Sequence, residues 1–420
     1  MPRLNGVAVV FFWFALMFAL ILAGTPVDHV TVAANSDLFG EASLPMPVPS
    51  HRRVDGDLHA RPTTGQVASD QAGGVGHEGR RLFEEETFGG NGRTCLTCHS
   101  KTTGTVSPAD AEQRFAADPA DPLFVADGSD DGLGHGLSRM LTDATVLMKI
   151  PLPPNVELKD DPGARFVILR RGIPTTLNTP ALDPVLMLDG RQPNLTSQAA
   201  GAIHDHAQNS IAPTTEQLSL IGRFQLTDRF FSSVALRNFA NGAIPPQLPN
   251  GRTASERRGR RFFEDIPPDA TGKDGLCAGC HSGPMLNETN AELAKILPIP
   301  PGTRFQSVLV SEFNSAGNPP VTFVFTNPDD TKTELTTPDP GRALFTGVGQ
   351  ESGSFDHVNA FKIPTLWGVK KTAPYFHDNQ AKTLEAVALH YRNFFLAVTG
   401  GFLFLDDQDL ADMVAFMKLL

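Results

Sequence analysis

Two short stretches contain all four cysteines of the 420-residue chain. Each has the pattern Cys-x-x-Cys-His: the residues are Cys95, Cys98 and His99 in the first motif and Cys277, Cys280 and His281 in the second. Two thiols three residues apart lie on one turn and can form thioethers with the two vinyl groups of a haem, and the next residue, a histidine, can then bind the iron. The pattern predicts two covalently bound haem c groups, with the two histidines as proximal iron ligands.

A zinc site, a redox dithiol and structural disulfides are the alternative interpretations of these cysteines. A zinc ribbon separates its cysteine pairs by about 15–20 residues, whereas Cys95 and Cys277 are 182 residues apart. Neither a dithiol nor a disulfide requires a histidine after both pairs. Haem is the interpretation that uses every residue of both motifs.

The composition is that of a globular protein, and the net charge limits the partners it can bind. The chain is 40% hydrophobic and 19% charged, as in ordinary globular proteins, and its length accommodates two or three domains. A net charge of −11 argues against nucleic-acid binding, which needs a basic face. A soluble partner with a basic patch is compatible with this charge, which by itself identifies none.

The N-terminus predicts export. One arginine precedes a 17-residue apolar run that ends at Ala23. This length lies between a cleaved signal and a spanning helix, so residues 1–24 are either a signal peptide or an inner-membrane anchor. Export places the mature protein in the periplasm, where covalent haem is attached. Residues 25–77 form a Pro/Gly-rich linker.

An internal repeat predicts the architecture. Related segments occupy 79–84 and 259–264, and again 173–177 and 363–366, at offsets of 180 to 190 residues. They predict two tandem cytochrome c-like haem domains, 78–250 and 251–420.

The predicted fold class is mainly α with long loops, plus the N-terminal signal or anchor helix. Apolar residues have helical spacing in four segments: 79–86, 254–266, 383–395 and 406–420. Alternation over 303–327 predicts a short hairpin in the second domain. Residues 127–140 form a Gly-rich loop that contains His135.

Four segments carry a family resemblance in addition to the two motifs: LNTPAL, LDGR, QAAGAI and residues 361–391. In these features, residues 79–420 resemble the bacterial di-haem cytochrome c peroxidase family, which includes related di-haem cofactor-maturation enzymes. The resemblance implies one six-coordinate haem that relays electrons and one open haem that reacts with hydrogen peroxide. It also implies a small electron donor, a cytochrome c or a cupredoxin. A homodimer is left open.

The family pattern also implies distal residues. Its relay-haem ligand position corresponds to Tyr391, and His390 stands beside it; adjacent helical residues point about 100° apart, so only one can face the iron. His377 and His357 are the next candidates. The repeat equates Tyr391 with Ala202, which cannot bind iron, so the first haem is expected to be open.

Four polar residues near Ala202 are the candidate catalytic residues: Gln198, His204, His206 and Gln208. Peroxide activation needs a group that takes a proton from one oxygen and returns it to the other, which an imidazole can do. His206 is preferred and His204 is the alternative. His135 is a further candidate, as a reversible sixth ligand of the first haem.

Several positions depart from the family. Gln208 replaces a distal glutamate and cannot act as a base. Leu188 replaces an inter-haem tryptophan, and Trp367 is a candidate substitute relay. Gly172 replaces an asparagine thought to help hold calcium, so calcium has only weak support. These departures keep a di-haem oxygenase, a cofactor-modifying oxidase and a non-enzymatic electron carrier as alternatives to a peroxidase.

Overall fold

The computed structural model describes residues 72–178, 182–313, 317–350 and 353–420, with side chains from residue 76 onward. The predicted signal or anchor segment and nearly all of the predicted linker lie outside the described residues. Within those ranges, no helix combines the length and the apolar character needed to cross a membrane.

Helices are the main regular structure of the described residues. Twelve α-helices occur there: α1 Ala72–Glu84, α2 Cys95–Cys98, α3 Pro108–Ala117, α4 Ser138–Asp143, α5 Leu195–Asp205, α6 Thr215–Thr227, α7 Val234–Ala240, α8 Ala254–Phe263, α9 Ala291–Ala294, α10 Ala343–Thr346, α11 Leu384–Val398 and α12 Asp407–Met417. Short 3-10 turns span Pro122–Phe124, Ala126–Gly128 and Val369–Lys371. Long loops connect these elements.

The four helices predicted from apolar spacing are confirmed as α1, α8, α11 and α12. Local capping explains two of the starts: Thr253 and Glu256 form a capping box at α8, and Asp406 and Asp409 form another at α12. Helix α1 begins at Ala72, so it starts within the segment assigned to the linker.

The internal repeat is visible in the helix pairs. Helix α1 packs against α6, and α8 packs against α12. A glycine lies at each crossing. A Cβ on Gly79 would lie 2.6 Å from the Leu220 carbonyl oxygen, and a Cβ on Gly259 would lie 1.9 Å from the Asp412 carbonyl oxygen. Equivalent glycines therefore let equivalent helices approach closely in both halves.

Seven strands lie between and beside the helices: β1 Thr145–Pro151, β2 Val156–Leu158, β3 Phe166–Gly172, β4 Phe305–Gln306, β5 Val321–Thr326, β6 Lys332–Thr337 and β7 Phe361–Lys362. They form an antiparallel β1–β3 ribbon, a β2–β5–β6 sheet and a β4–β7 pair. In the ribbon, Thr145 pairs with Gly172 and Pro151 with Phe166.

The hairpin predicted over 303–327 is wrong in its pairing. The first arm contains β4, which pairs with β7, and the second arm is β5, which pairs with β6 and β2. Alternation identifies a strand with one buried face, here through Phe323 and Phe325, but it does not identify the partner strand.

The sheet joins the two halves of the chain, because β2 belongs to the first repeat and β5 to the second. Val156 and Leu158 share a hydrophobic core with Phe323 and Phe325. Two further cores are helical, one around α1, α5 and α6 and the other around α8, α11 and α12. The domain boundary at residue 250 stays a prediction.

We predict that Gly259→Ala destabilises the protein by about 3 kcal/mol, the upper end of the overpacking range, because the new methyl group meets rigid backbone of α12. Urea unfolding of the purified protein, followed by circular dichroism, measures this. Gly76→Ala is the matched control: nothing lies within 4 Å of its Cβ, so it should be neutral or stabilising by up to about 1 kcal/mol. Equal effects of the two substitutions would contradict the packing argument.

Candidate haem sites

The same hydrogen bond orients the histidine of each motif. His99 Nδ1–H donates to the Gly104 carbonyl oxygen at 2.8 Å, and His281 Nδ1–H donates to that of Leu286 at 2.9 Å. Each acceptor lies five residues after its histidine. Because Nδ1 carries the proton, Nε2 keeps its lone pair for a metal, as in most metal-binding histidines. Burial lowers the pKa of both rings, which favours this neutral form.

The four cysteines are half-buried and form no disulfide. Burial raises the pKa of Cys95 and Cys280 to about 12, so both thiols are neutral at physiological pH. The described residues contain no group of three or more His, Cys, Asp or Glu side chains that could hold a metal ion. Two thiols on one turn, followed by a histidine whose Nδ1–H is held by a backbone carbonyl oxygen, fit c-type haem in each half.

The Ile-Pro-Thr segments of the repeat close both motif loops in the same way. Thr175 Oγ1 donates to the Thr103 carbonyl oxygen, and Thr365 Oγ1 donates to that of Met285, both at 2.7 Å. Each acceptor lies four residues after the motif histidine. The two proximal sides are therefore built alike.

Helices α5 and α11 carry different residues at equivalent positions. Helix α5 begins at Leu195 and α11 begins at Leu384, 189 residues later, so Ala202 and Tyr391 are each the eighth residue of their helix. Helix α5 ends at Asp205, whereas α11 continues to Val398. The 189-residue offset between Ala202 and Tyr391 is therefore also the offset between the starts of the two helices.

Tyr391 and His390 point in different directions on α11. Burial raises the pKa of Tyr391, and negative charge on Cys280 or Cys277 would raise it further, so its phenol lies within electrostatic range of the second motif. His390 Nε2–H donates to the Val308 carbonyl oxygen at 2.9 Å. The side chain that neighbours the second motif is therefore Tyr391, while His390 is bound to a neighbouring loop.

The two reserve histidines have other surroundings. His377 is buried, and its ring stacks on Phe361 with centroids 4.1 Å apart. His357 is half-buried, with Nδ1 3.2 Å from Thr346 Oγ1.

Among the candidate catalytic histidines, His206 lies near the first motif. Its Nδ1–H donates to Asp127 Oδ2 at 2.5 Å, and its carbonyl oxygen accepts a 3.3 Å bond from Arg93, two residues before Cys95. A positive charge on His206 is among the influences that lower the pKa of His99, after burial. His204, in contrast, is 72% exposed and hydrogen-bonds Asp205.

The remaining distal candidates are more open. Gln198 is half-buried on α5. Gln208 is exposed and has a left-handed φ of 52°, and its Oε1 accepts from Asn91 Nδ2 at 3.2 Å. His135 is 81% exposed, and its Nδ1–H donates to Asp131 Oδ2 at 2.7 Å.

A buried ion cluster joins the two halves of the chain. Arg171 donates to Asp189 Oδ2 at 2.6 Å and to both carboxylate oxygens of Asp339 at 2.7 and 2.8 Å, and Arg191 also binds Asp189. The three central side chains are at most 2% exposed. Burial alone would raise the pKa of Asp189, but the two arginines lower it overall.

The environment of Gly172 bears on the calcium prediction. A Cβ at residue 172 would lie 2.2 Å from Asn379 Oδ1. Asn379 Nδ2 donates to the carbonyl oxygens of Asp143 and Ala144 at 3.0 and 2.9 Å. Asn379 therefore fills the space that a side chain at residue 172 would need. Calcium binding stays untested.

Trp367 lies on the proximal loop of the second motif. Its Nε1–H donates to the Pro284 carbonyl oxygen at 2.9 Å, and its own carbonyl oxygen accepts from Asn178 of the other half at 2.8 Å. The Leu188 carbonyl oxygen accepts from the Lys362 amide at 2.8 Å. Trp367 thus bridges the halves and stays a candidate relay.

The sequence reasoning missed Arg93, Asp127, Arg171 and Asp339. Only Arg93 had a local signal, its position just before the first motif. The other three acquire their roles from contacts across the fold, which no spacing rule reports.

Comparison with curated proteins finds a relative among the cytochrome c peroxidases. The chain is 25% identical over 226 residues to a cytochrome c551 peroxidase from Nitrosomonas europaea, and the match covers 50% of this chain and 55% of the relative. The chain thus spans about half the length of the curated relative it matches. This similarity confirms the resemblance to the di-haem cytochrome c peroxidase family and supports haem as a cofactor.

Solved structures give more distant likenesses. A MauG-like protein associated with microbial copper homeostasis has 17% identity and a TM-score of 0.46, covering 86% of this chain and 91% of that one. The diheme peroxidase BthA from Burkholderia thailandensis has 14% identity and a TM-score of 0.43, covering 82% and 85%. Both are too distant to define a site. No family model matches the chain.

We predict that Arg171→Met destabilises the protein by about 3–5 kcal/mol, because it leaves the buried Asp339 carboxylate without its arginine and Asp189 with Arg191 alone. Urea unfolding at pH 7 measures the change. The lowered pKa of Asp189 means that its contribution is complete at neutral pH and is lost as pH falls through that pKa. The difference between wild type and variant should therefore shrink below about pH 4.

Arg170→Met is the matched control, since Arg170 is the exposed neighbour on β3. A surface substitution of this kind should change stability by at most about 0.5 kcal/mol. An Arg171 variant as stable as the Arg170 variant would show that the cluster contributes nothing.

Proposed function

We propose that this protein is a periplasmic di-haem c-type peroxidase that reduces hydrogen peroxide with electrons from a small redox protein, a cytochrome c or a cupredoxin. The observation that carries the proposal is the asymmetry of two otherwise equivalent sites. Ala202 and Tyr391 occupy the same position of α5 and α11. A methyl group leaves the side opposite the first motif open to substrate, whereas a phenol can fill the equivalent position of the second.

The residues that would hold the haems are those of the two motifs, with Tyr391 as the distal ligand of the second. Bound there, the haems would supply an iron that binds peroxide and a store for the electrons. Overall, hydrogen peroxide takes up two electrons and two protons and leaves as two waters. The electrons come from the donor protein, so the chain itself must manage the protons.

His206 is the residue proposed to manage them. Peroxide cleavage needs a proton removed from the near oxygen and returned to the departing one. His206 lies near the first motif, tied to Arg93 through its carbonyl oxygen. Gln208 is exposed and cannot act as a base, and His204 is engaged with Asp205 at the surface.

The cellular setting follows from the sequence. The apolar segment within residues 1–24 supports export to the periplasm, as a cleaved signal or an anchor. The net charge of −11 suits a donor with a basic docking patch.

For the second haem, we predict that Tyr391→Phe converts a low-spin signal to high-spin, because the phenol oxygen is the ligand. Electron paramagnetic resonance measures the spin state, and the mass of the denatured protein should still include two haems. His390→Phe is the control: it removes the bond to Val308 and should leave the low-spin signal. The reverse pattern would assign the ligand to His390, and two unchanged spectra would point to His377 or His357.

For the first haem, we predict that His206→Ala lowers peroxide turnover by about 10²–10⁴-fold, the usual cost of losing a general acid–base group. Turnover is measured as oxidation of reduced donor on addition of peroxide, with haem content unchanged. His204→Ala separates the two candidates and should cost far less.

Other outcomes have clear meanings. A large loss in the His204 variant alone would move the role to His204. If both variants keep full turnover, the peroxidase proposal loses its proton carrier, and product analysis should then look for an oxygenated or oxidised substrate.

A further inference from the structure

Asp127 is the hydrogen-bond partner of His206. It lies in the 3-10 turn Ala126–Gly128, 79 residues before His206. Its side chain is 12% exposed and that of His206 is 25% exposed. A carboxylate and an imidazole brought together from distant segments form a dyad beside the first motif.

Arg93 holds the carboxylate from its other side. This guanidinium is 2% exposed and pairs with Asp127 Oδ1, while Oδ2 receives His206. It also donates to the carbonyl oxygens of Pro122, Leu123 and Val125 at 2.8, 3.0 and 2.6 Å. Arg93 therefore fixes the loop that presents Asp127, and the sequence places Arg93 two residues before the first motif.

The charge state of Asp127 sets the tautomer of His206. Burial would raise the pKa of Asp127, but His206 and Arg93 lower it overall through charge and hydrogen bonds. The carboxylate is therefore ionised at neutral pH and can only accept. His206 must donate from Nδ1, so in the neutral ring the lone pair is on Nε2.

The main chain of His206 is fixed as well. Its amide donates to the Ala202 carbonyl oxygen at 3.0 Å, and its carbonyl oxygen accepts from Asn91 Nδ2 at 2.9 Å and from Arg93. Nε2 has no hydrogen-bond partner among the described residues. One ring nitrogen is thus held and the other is available.

We propose that Asp127 is the positioning residue of the peroxide site: it holds His206 with Nδ1 protonated, so that Nε2 takes and returns the peroxide proton. The inference rests on the proposed peroxidase function. The proton leaves the near O–H of the peroxide, resides on Nε2, and passes to the departing oxygen; Asp127 stays ionised and gains no proton. The two electrons come from the donor protein.

The test compares Asp127→Asn, His206→Ala and the double variant. The introduced amide can offer an N–H to Nδ1 of His206 and so permits the wrong tautomer. Asp127→Asn should lower peroxide turnover by about 10²-fold or more with little change in KM. The double variant should be no slower than His206→Ala, because Asp127 acts only through His206. Additive losses, or an Asp127 variant as fast as wild type, would overturn the proposal.

A second readout needs no turnover. Hydrogen cyanide binds ferric haem as the anion, so a base beside the first haem should accelerate its association. Stopped-flow mixing of cyanide with the oxidised protein should show slower association in Asp127→Asn and in His206→Ala, by a similar factor. If wild type lacked peroxidase activity but kept this pattern, the peroxidase assignment would fail and the positioning role would stand.

Asp121→Asn is the matched control. Asp121 begins the same loop and pairs with Arg114 at 2.5 Å, so the substitution removes an equal charge without touching His206 and should leave both rates near wild type. If Asp127→Asn does not fold, Asp127→Glu keeps the charge with a longer side chain and should give a partial loss. A loss of peroxide turnover in Asp127→Glu with an unchanged rate of cyanide association would overturn the positioning role, because Asp127 would then act other than through His206.

Discussion

The buried Arg171 guanidinium is the interaction on which the two-part structure depends. It belongs to β3 of the first half and binds Asp339 of the second, while its other partner, Asp189, is also paired with Arg191. A buried charge is tolerated only when it is paired and hydrogen-bonded on all sides. The halves must therefore dock in one register, in which the β2–β5 pairing and the contact between Gly172 and Asn379 also form.

Within that frame, the internal repeat accounts for what the two Cys-x-x-Cys-His motifs share. Each motif histidine donates to a carbonyl oxygen five residues later, and each loop is closed by a threonine hydroxyl. Their differences lie on α5 and α11, where one position carries a methyl group in one copy and a phenol in the other. Equivalent backbones with unequal distal side chains can support one reactive site and one relay site.

The sequence predicted the elements whose signals are local. Helical spacing and capping residues define α8 and α12, and the offset between repeats equals the offset between the starts of α5 and α11. It could not choose between His390 and Tyr391, since that choice depends on the rotation of α11 against the Val308 loop. It also assigned β5 the wrong partner strand, because the alternation of apolar residues along a strand does not specify which strand it pairs with.

Taken alone, the sequence determined the chemistry that is available: two Cys-x-x-Cys-His motifs, an internal repeat, and histidines at 204 and 206 beside a glutamine that cannot act as a base. These follow from residue type and short spacing. Only the tertiary structure decided that Asp127 and Arg93 meet at His206, and that Arg171 lies between Asp189 and Asp339. Such contacts span 18 to 168 residues and arise from packing, which no local pattern encodes.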